Sequence, residues 1–402
     1  MPLTTKQNDY LMHYNHRWNF KGGATGSGKT YLDVCATIPK RLEATRGEGL
    51  IVLMGNTRGT LERNILDPMR EVWPGLVGNI RADNTVDIWG KKCYALGADN
   101  KKHVQRIQGA TFEYVYGDEV TTWAQDVFEM LKSRLRCPHS YFDGTYNPAG
   151  PNHWLKKFLE SGADVYNQNY IIDDNCFLPK HFVDNLKQEY AGTVYYDRYI
   201  LGRWALAEGL VYPMFSRGKH VYSIAPWETG GADDGAGEYY ISIDYGTMNP
   251  TSMGLWRIYH GVAYRTAEYY YSGRDSKRQL TDEEYYYQLE ALAGNRDIEY
   301  VVVDPSAASF IATIRQHGRF SVLPAKNAVL DGIRKTASAI NSGKIMIHES
   351  CQNIIREFES YCWDEKTGED TVIKENDHAM DDMRYMVMTV LDQGGQVYDV
   401  LF

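Results

Sequence analysis

Short apolar runs alternate with helical patterns over about the first 170 residues of the chain. Apolar runs of a few residues bounded by turn signals predict buried strands. Strands that alternate with helices along a chain are typical of an α/β domain with a mainly parallel sheet. The predicted strands are Trp18–Phe20, Leu50–Met54, Thr85–Trp89, Thr111–Tyr116 and Tyr141–Thr145.

The pattern changes after that point, which indicates a domain boundary. Residues 171–215 carry helix start and stop signals, with Pro179 near a start and Gly192 at a stop, so we expect a helical lid or linker subdomain there. A stretch rich in Gly and Asp follows at residues 229–237 and predicts a loop. The expected organisation is a first domain over 1–215, a linker over 216–238 and a second domain over 239–402.

The second half begins with strands joined by tight turns and continues with alternating strands and helices. Hairpin strands followed by such an alternation predict a second α/β domain with a mixed sheet. The predicted strands are Tyr239–Asp244, Thr251–Tyr259, Gly261–Tyr270, Tyr300–Asp304 and Ser321–Leu323, and the predicted helices are 328–342, 350–363 and 378–392.

Length and composition restrict the class of protein. A chain of 402 residues suits two domains, and its apolar runs are far shorter than the roughly 18 residues of a membrane span. The N-terminus, Met1–Tyr10, is not a signal peptide. The six cysteines are dispersed without a C-x-x-C pair, so we interpret them as reduced thiols in a cytoplasmic protein.

The net charge of −9 argues against a protein that simply coats nucleic acid. It is compatible with an enzyme that holds DNA in a local basic groove, because metal-binding carboxylates lower the net charge. Charge alone therefore leaves an enzyme acting on DNA open.

A glycine-rich segment near the N-terminus, Gly23–Thr30, fits the phosphate-binding pattern G-x-x-x-x-G-K-[ST]. Glycines allow backbone N–H groups to approach phosphate oxygens, and a helix that begins at the lysine directs its positive end at them. A chance glycine-rich turn is the alternative, but an apolar, helix-like run follows the pattern. The predicted nucleotide-binding residues of this loop are Gly23, Gly26, Ser27, Gly28, Lys29 and Thr30, the last as a Mg²⁺ ligand.

A second motif, Asp118-Glu119, ends the apolar strand that contains Tyr114–Tyr116. Acidic pairs end many strands, but this pair follows a phosphate-binding loop. We expect Asp118 to hold Mg²⁺ through water and Glu119 to polarise the attacking water. The two motifs together predict that the protein binds ATP and hydrolyses it.

Acidic residues also occupy particular positions in the second half. Asp244 and Asp304 end two predicted strands, while Asp377 and the pair Asp381-Asp382 lie near the start of the last helix. Carboxylates placed in this way suit two Mg²⁺ or Mn²⁺ ions at a scissile phosphate. The alternative roles are turn formation for the strand-end residues and helix capping for Asp377, which we expect in preference to metal ligation. A helical wheel does not choose between Asp381 and Asp382.

Eight short stretches follow one another in a fixed order: Gly22–Thr30, Arg106–Thr111, Tyr116–Val120, Gly144–Pro148, Tyr199–Trp204, Ile243–Gly246, Val303–Ser306 and Asp377–Tyr385. In these stretches and their order, the chain resembles the large terminase subunits of tailed bacteriophages. The resemblance is nearest to the group found in Gram-positive phages and defective prophages, and it extends from about residue 6 to about residue 390.

The resemblance implies an N-terminal P-loop ATPase motor and a C-terminal ribonuclease-H-like nuclease. The motor would drive double-stranded DNA into an empty procapsid, and the nuclease would cut the DNA concatemer. The implied partners are DNA, the portal protein ring, the terminase small subunit and further copies of this chain in a pentameric ring. A monomer is the alternative state in solution, and the expected location is the cytoplasm of the bacterial host.

The resemblance also implies roles for single residues of the nuclease. Asp244, Asp304 and Asp381 become a metal-binding triad, with His378 nearby as support. Asp382 stands where the family often has a small residue, so the third ligand stays open between Asp381 and Asp382.

Further roles are implied in the ATPase. Gln7 precedes the first strand, where the family often has a glutamine that hydrogen-bonds adenine. Thr145 and Asn147 match the motif that couples hydrolysis to movement, a simple Asn-Pro turn being the alternative for the latter. Arg106 resembles an arginine that enters the ATP site of a neighbouring subunit, and the competing candidates are Arg41 and Arg46.

Two other readings of the chain remain open. A P-loop DNA helicase or recombination ATPase would share the first half but would need no carboxylate triad and no nuclease activity. A scaffold with a vestigial P-loop is disfavoured because Lys29, Thr30, Asp118 and Glu119 are all present.

Overall fold

A computed structural model of the chain describes residues 2–99, 109–229, 237–364 and 370–393. These residues form two compact units. The first lies within residues 2–183 and 195–206, and the second lies within residues 184–194 and 207–393. Among the described residues, no helix has the length and apolar character needed to cross a membrane.

The first unit contains a seven-stranded sheet in the order β3-β4-β2-β5-β6-β1-β7. All neighbouring strands run parallel except the antiparallel pair β3 and β4, as the alternating pattern predicted. The strands are β1 Trp18–Gly23, β2 Leu50–Gly55, β3 Thr85–Ile88, β4 Lys91–Gly97, β5 Phe112–Gly117, β6 Tyr141–Tyr146 and β7 Val165–Tyr170.

Helices cover both faces of this sheet. Aromatic side chains such as Trp18, Phe128 and Phe142 form the core on one face, and aliphatic side chains such as Ile38 and Leu53 form it on the other. The α-helices are Thr5–His13, Lys29–Leu32, Ile38–Ala44, Arg58–Leu61, Asp67–Val72, Gln125–Lys132 and Trp154–Leu159, with π-helical turns at Asp33–Thr37 and Glu62–Leu66 and 3-10 turns at Val120–Thr122 and Ile172–Asp174.

The segment 171–215, for which the sequence indicated helices, is helical only in parts. An α-helix spans Lys180–Glu189 and a π-helical turn spans Tyr196–Ile200, while residues 202–208 have no regular secondary structure. The segment 216–238, expected to be a linker, carries the short helices Arg217–His220 and Pro226–Thr229.

The second unit contains a mixed seven-stranded sheet in the order β13-β12-β9-β10-β11-β14-β8. Strand β10 runs antiparallel to both of its neighbours, β9 and β11, and the remaining neighbouring pairs are parallel. The strands are β8 Val221–Tyr222, β9 Glu238–Asp244, β10 Thr251–Tyr259, β11 Val262–Tyr271, β12 Ile298–Val303, β13 Val322–Pro324 and β14 Ile345–His348.

This register brings two of the predicted site residues to one edge of the sheet. Strands β9 and β12 are parallel neighbours, with Ile243 opposite Val303, so Asp244 and Asp304 leave the sheet side by side. The last helix carries the remaining acidic residues. The helices of this unit include Asp282–Ala293, Ala308–His317, Val329–Asn341, Gln352–Phe358 and His378–Thr389, with a 3-10 turn at Leu391–Gln393.

Candidate functional site

The phosphate-binding loop begins where β1 ends. Gly23 has a backbone φ of +126°, and a Cβ there would lie 2.0 Å from the carbonyl oxygen of Tyr170 in β7. Only glycine fits at that position. Gly26 and Gly28 also have positive φ, and the Ser27 hydroxyl donates to the Ala24 carbonyl oxygen at 2.7 Å. The loop is therefore a tight, closed turn that leads into the helix beginning at Lys29.

Lys29 is the buried cation of this loop, with 7% of its surface exposed. Its Nζ donates to the carbonyl oxygens of Ala24 at 2.5 Å and Gly23 at 3.1 Å, and to Oδ1 of Asn147 at 3.2 Å. Burial lowers the pKa of Lys29 to about 8, and the carboxylates that follow β5 act against that shift. An ammonium group inside a glycine-rich turn suits phosphate binding. Thr30 follows as the second residue of the helix and is half-buried.

The acidic pair lies at the end of the neighbouring strand β5. The Asp118 carboxylate accepts hydrogen bonds from Thr145 Oγ1 at 2.9 Å and Asn64 Nδ2 at 3.2 Å. Burial, followed by the charge of Glu119, raises the pKa of Asp118 to about 6. Glu119 has a left-handed backbone with φ +50° and donates its N–H to Thr145 Oγ1 at 3.2 Å. A non-glycine residue in this region is conformationally strained, a feature found at functional sites.

The end of β6 joins these groups. Thr145 bonds both acidic residues, and Asn147 bonds Lys29. The predicted coupling residues are thus in direct contact with the predicted phosphate-binding and hydrolytic residues, and the sensing role of Asn147 remains a prediction.

Gln7 also reaches the phosphate-binding loop. It is buried, its Nε2 donates to the Gly28 carbonyl oxygen at 2.8 Å, and its Oε1 accepts from the Thr4 N–H at 2.8 Å. The second bond belongs to the N-terminal cap of helix Thr5–His13. Asn175, which the sequence did not single out, holds the same loop by donating to the Gly26 carbonyl oxygen at 2.7 Å. The adenine contact of Gln7 stays a prediction.

The three arginine candidates have different outcomes. Arg106 lies outside the described residues. Arg41 is 8% exposed and pairs with buried Asp143, with 2.8 Å between Nε and Oδ2. Because this guanidinium is held inside its own unit, Arg41 is not available as a finger for a neighbouring subunit. The backbone N–H of Arg46 donates to Glu113, which fixes the backbone only.

One further arginine was missed by the sequence reasoning. Arg63 is exposed and lies in the π-helical turn beside Asn64, the residue that bonds Asp118. Burial raises the pKa of Glu119, whereas the charges of Lys29 and Arg63 lower it. No motif marks Arg63; only folding brings its positive charge near Glu119.

In the second unit, Asp244 lies at the centre of the acidic group. It accepts hydrogen bonds from His378 Nδ1 at 2.8 Å and from the Tyr385 hydroxyl at 3.4 Å. Burial raises the pKa of Asp244 to about 6, and the charge of Asp381 adds to the shift, although the bond from His378 opposes it. Burial acts to lower the pKa of His378, but its bond to Asp244 and the nearby carboxylates outweigh burial and raise it. His378 therefore supports Asp244 directly.

Asp304 is the more solvated member of the group. It accepts from the Ser306 N–H at 2.7 Å and from Asn327 Nδ2 at 3.1 Å. Burial acts to raise the pKa of Asp304, but these bonds and one from Tyr385 outweigh it, so the pKa is lowered. Asp304 is thus held as an anion beside Asp244.

The structure separates the two acidic residues that the helical wheel left undecided. Asp382 is fully buried and accepts from Ser242 Oγ at 3.0 Å, from Ser252 Oγ and from both terminal nitrogens of Arg265, at 2.5 and 3.1 Å. Every carboxylate oxygen of Asp382 already has two partners, as expected for a structural buried ion pair.

Asp381 has different surroundings. It lines a cavity of about 610 Å³ together with Asp244, Asp377 and His378. One of its oxygens lies 2.9 Å from Nη2 of Arg384. Asp381, unlike Asp382, therefore lines the same cavity as Asp244 and His378.

Asp377 occupies the N-cap position of the last helix, as expected, but its carboxylate does not serve as the cap. Its side chain makes no capping hydrogen bond. The cap comes instead from Glu357, whose carboxylate accepts from the N–H groups of Ala379 at 2.7 Å and Met380 at 3.2 Å and from the Tyr270 hydroxyl at 2.8 Å. Burial raises the pKa of Glu357 to about 7. No local signal identifies Glu357, because it belongs to a different helix.

The carboxylates of Asp244, Asp304 and Asp381 are chemically suited to bind a divalent cation, but their side chains do not lie close enough together to hold one. Within the four described ranges, no group of three or more His, Cys, Asp or Glu side chains is close enough to hold a metal ion. The charges of Asp244, Asp381 and Asp304 all nevertheless reach Tyr385, whose pKa is raised first by burial and then by these carboxylates. Carboxylate oxygens are the ligands that Mg²⁺ and Mn²⁺ prefer, and a bound cation would offset the repulsion between these negative charges.

Comparisons with known protein families cover both units. A family described as "Terminase large subunit, T4likevirus-type, N-terminal" matches residues 19–219. A family described as "Terminase RNaseH-like domain" matches residues 244–389.

Individual proteins give the same result. The large terminase of a thermophilic bacteriophage, solved with ADP, is 35% identical with a TM-score of 0.87, covering 97% of this chain and 100% of that one. The same protein solved with ATP-gamma-S has a TM-score of 0.86. The large terminase subunit of Escherichia phage T5 is 25% identical over 70% of this chain and 66% of its own length. The PBSX phage terminase large subunit of Bacillus subtilis is 22% identical over 88% of this chain and 85% of its own.

Proposed function

This chain belongs to the family of phage terminase large subunits, and on that premise we propose that it hydrolyses ATP to drive double-stranded DNA into a procapsid. Its two units correspond to the ATPase and RNase-H-like domains of the family. The observation that carries the proposal is a pair of hydrogen bonds, Lys29 to Asn147 and Thr145 to Asp118, through which the end of β6 contacts both the phosphate-binding loop and the acidic pair. The relative from the thermophilic phage was solved with ADP and with ATP-gamma-S, which supports nucleotide binding at this loop.

In the proposed ATPase reaction, Lys29 binds the β- and γ-phosphates and Glu119 orients the attacking water. Mg²⁺ bound by Thr30 and Asp118 would supply positive charge to the phosphate oxygens. Asn147 bonds Lys29, so a change in the position of that lysine reaches β6 directly. This contact is a physical route from phosphate binding to the rest of the sheet.

We further propose that the second unit is a metal-dependent endonuclease that cuts concatemeric DNA. Asp244, Asp304 and Asp381 would hold two Mg²⁺ or Mn²⁺ ions, which supply an activated water and stabilise the leaving oxygen. His378 orients Asp244 through its 2.8 Å bond, and Glu357 fixes the start of the helix that carries Asp381. The match to a terminase RNase-H-like domain counts against the helicase alternative, which needs no such unit.

The proposed partners follow from the family. They are double-stranded DNA, the portal ring of the procapsid, the terminase small subunit and further copies of this chain in a pentameric ring in the host cytoplasm. In that ring Arg106 would reach the ATP site of the neighbouring subunit and stabilise the charge of the transition state.

Nucleotide binding and phosphate release test the ATPase proposal. Lys29→Ala should weaken binding of a fluorescent ATP analogue, because the buried ammonium group is lost. Glu119→Gln should preserve binding but stop phosphate release, because the amide cannot take up a proton. Lys40→Ala is the matched control, since Lys40 is exposed and lies in the helix Ile38–Ala44 that follows the loop. Wild-type turnover in the Glu119→Gln protein would remove Glu119 as the base.

A further inference from the structure

The acidic cavity of the second unit also contains cations that have no role in the account above. The cavity of about 610 Å³ that is lined by Asp244, Asp377 and Asp381 is also lined by Arg274 and Lys374. Arg274 follows β11, and Lys374 precedes the last helix, so two separate segments each place one cation on the same cavity.

Arg274 is held in place without being neutralised. Its backbone N–H donates to the Met248 carbonyl oxygen at 3.1 Å, and its Nη2 donates to Asn249 Oδ1 at 3.1 Å. Within the described part of the chain it forms no ion pair, and its side chain is exposed. The guanidinium therefore keeps most of its five donors for a ligand.

Lys374 is similarly available. Its Nζ lies 4.0 Å from Asp377 Oδ2, at the limit of an ion pair, and 65% of its side chain is exposed. A pair of that length and exposure contributes little free energy, so a ligand anion can replace it.

The cavity continues beside Asp304. A second cavity of about 470 Å³ is lined by Thr247, Asn249, Ser306 and Ser309, among others, and Asn249 belongs to both walls. A polar path therefore extends from the serine two positions after Asp304, past Asn249, to Arg274. Hydroxyl, amide and guanidinium groups are the donors that proteins use to hold DNA phosphates.

We propose that Arg274 and Lys374 bind the backbone phosphates of the DNA strand on either side of the phosphodiester that is cut at the carboxylates. The inference rests on the proposed nuclease function and adds the residues that hold its substrate. Carboxylates repel an incoming polyanion, so an acidic centre needs cations beside it to retain DNA. Asp275 and Glu375 also line the wall, which makes Arg274 and Lys374 the positions where phosphate is attracted. Because phosphate contacts carry no sequence information, the binding would not depend on base sequence.

DNA binding as a function of salt tests this proposal. The full chain with Asp381→Asn, which prevents cutting, is titrated with a fluorescent DNA duplex at several salt concentrations. Arg274→Ala and Lys374→Ala should each lower the slope of log K against log salt by about 1, and the double variant by about 2. Arg278→Ala is the matched control, because Arg278 lies in the same turn but pairs with Glu284 and does not line the cavity.

Slopes for Arg274→Ala and Lys374→Ala that equal the Arg278→Ala slope would overturn the proposal. Cleavage kinetics on the otherwise unchanged chain give the second readout: the DNA concentration for half-maximal rate should rise more than the maximal rate falls. The proposed nuclease is tested separately: it fails if Asp244→Asn still cuts DNA or if wild type cuts undiminished in EDTA, and neither result depends on Arg274 or Lys374. Both cations are exposed, so the variants should match the unfolding temperature of the control.

Discussion

Replacing Asp382 with asparagine should destabilise the second unit, although this residue lies beside a proposed metal ligand. The side chains of Asp382 and Arg265 are both fully buried and form an ion pair. Asparagine keeps the shape and a bond to a serine hydroxyl but removes the charge that neutralises Arg265. The remaining carboxylate partner of that guanidinium is Glu268, at 3.3 Å.

The expected loss in free energy of unfolding follows from the complete burial of this ion pair away from solvent. Removing one partner of a buried ion pair costs about 3–5 kcal/mol, because a charge is left uncompensated in the interior. The contact between Arg265 and Glu268 places our expectation near the lower end, at about 3 kcal/mol. Asp381→Asn should cost less, about 1–2 kcal/mol, because Arg384 keeps the carbonyl oxygens of Asn327 and Ala328 as partners.

Thermal and urea unfolding of the two variants measure this difference. A loss of about 3 kcal/mol corresponds to a fall of roughly 6–12 °C in the unfolding temperature of a domain this size. Trp256 donates to Ser242 beside the ion pair, so its environment changes when this unit unfolds and contributes to the fluorescence change. Asp297→Asn is the control, since Asp297 is exposed. If Asp382→Asn has the same unfolding temperature and urea midpoint as Asp297→Asn, the structural role assigned to Asp382 is wrong.

Two further predictions concern assembly and pH. Arg106→Ala mixed with Lys29→Ala should recover part of the ATP hydrolysis that each lacks alone, and full activity of Arg106→Ala by itself under assembling conditions would assign the finger to another residue. Burial raises the pKa of Glu357 to about 7, so its folded state binds a proton more tightly than its unfolded state. The contribution of Glu357 to the free energy of unfolding should be complete below about pH 4.5 and lost as pH rises through 7. Over that range wild type should lose about 3 kcal/mol of stability relative to Glu357→Gln. A difference in unfolding free energy between the two proteins that stays constant from about pH 4.5 to about pH 8 would contradict this.

The most readily predicted strands of the first unit are buried by packing on both faces. β2 and β5 read as continuous apolar runs because helices cover each side of the sheet. β7 was missed because its sequence, with Asn167, Gln168 and Asn169, is polar, and it lies at the sheet edge with β1 as its neighbour. β4 begins with two lysines and was missed for a similar reason.

The phosphate-binding loop was predictable because its function depends on local backbone geometry, which the glycines specify directly. The last helix was also predicted, at 378–392, and is observed at His378–Thr389. The choice between Asp381 and Asp382 was not predictable, because residues Ala379–Thr389 are all buried and the helical wheel has no solvent face against which to place them. Glu357 and Arg265 lie far from that helix in sequence. Their contacts with it depend on tertiary packing, which no motif records.

Cleavage of supercoiled plasmid by the purified chain tests the central claim most directly. We expect wild type and Asp297→Asn to cut in Mg²⁺ or Mn²⁺, and neither to cut in EDTA. Asp244→Asn, Asp304→Asn and Asp381→Asn should remain folded but lose cleavage, because each removes a carboxylate that holds the ions. Cleavage by Asp244→Asn, or undiminished cleavage by wild type in EDTA, would contradict a metal-dependent nuclease at this site.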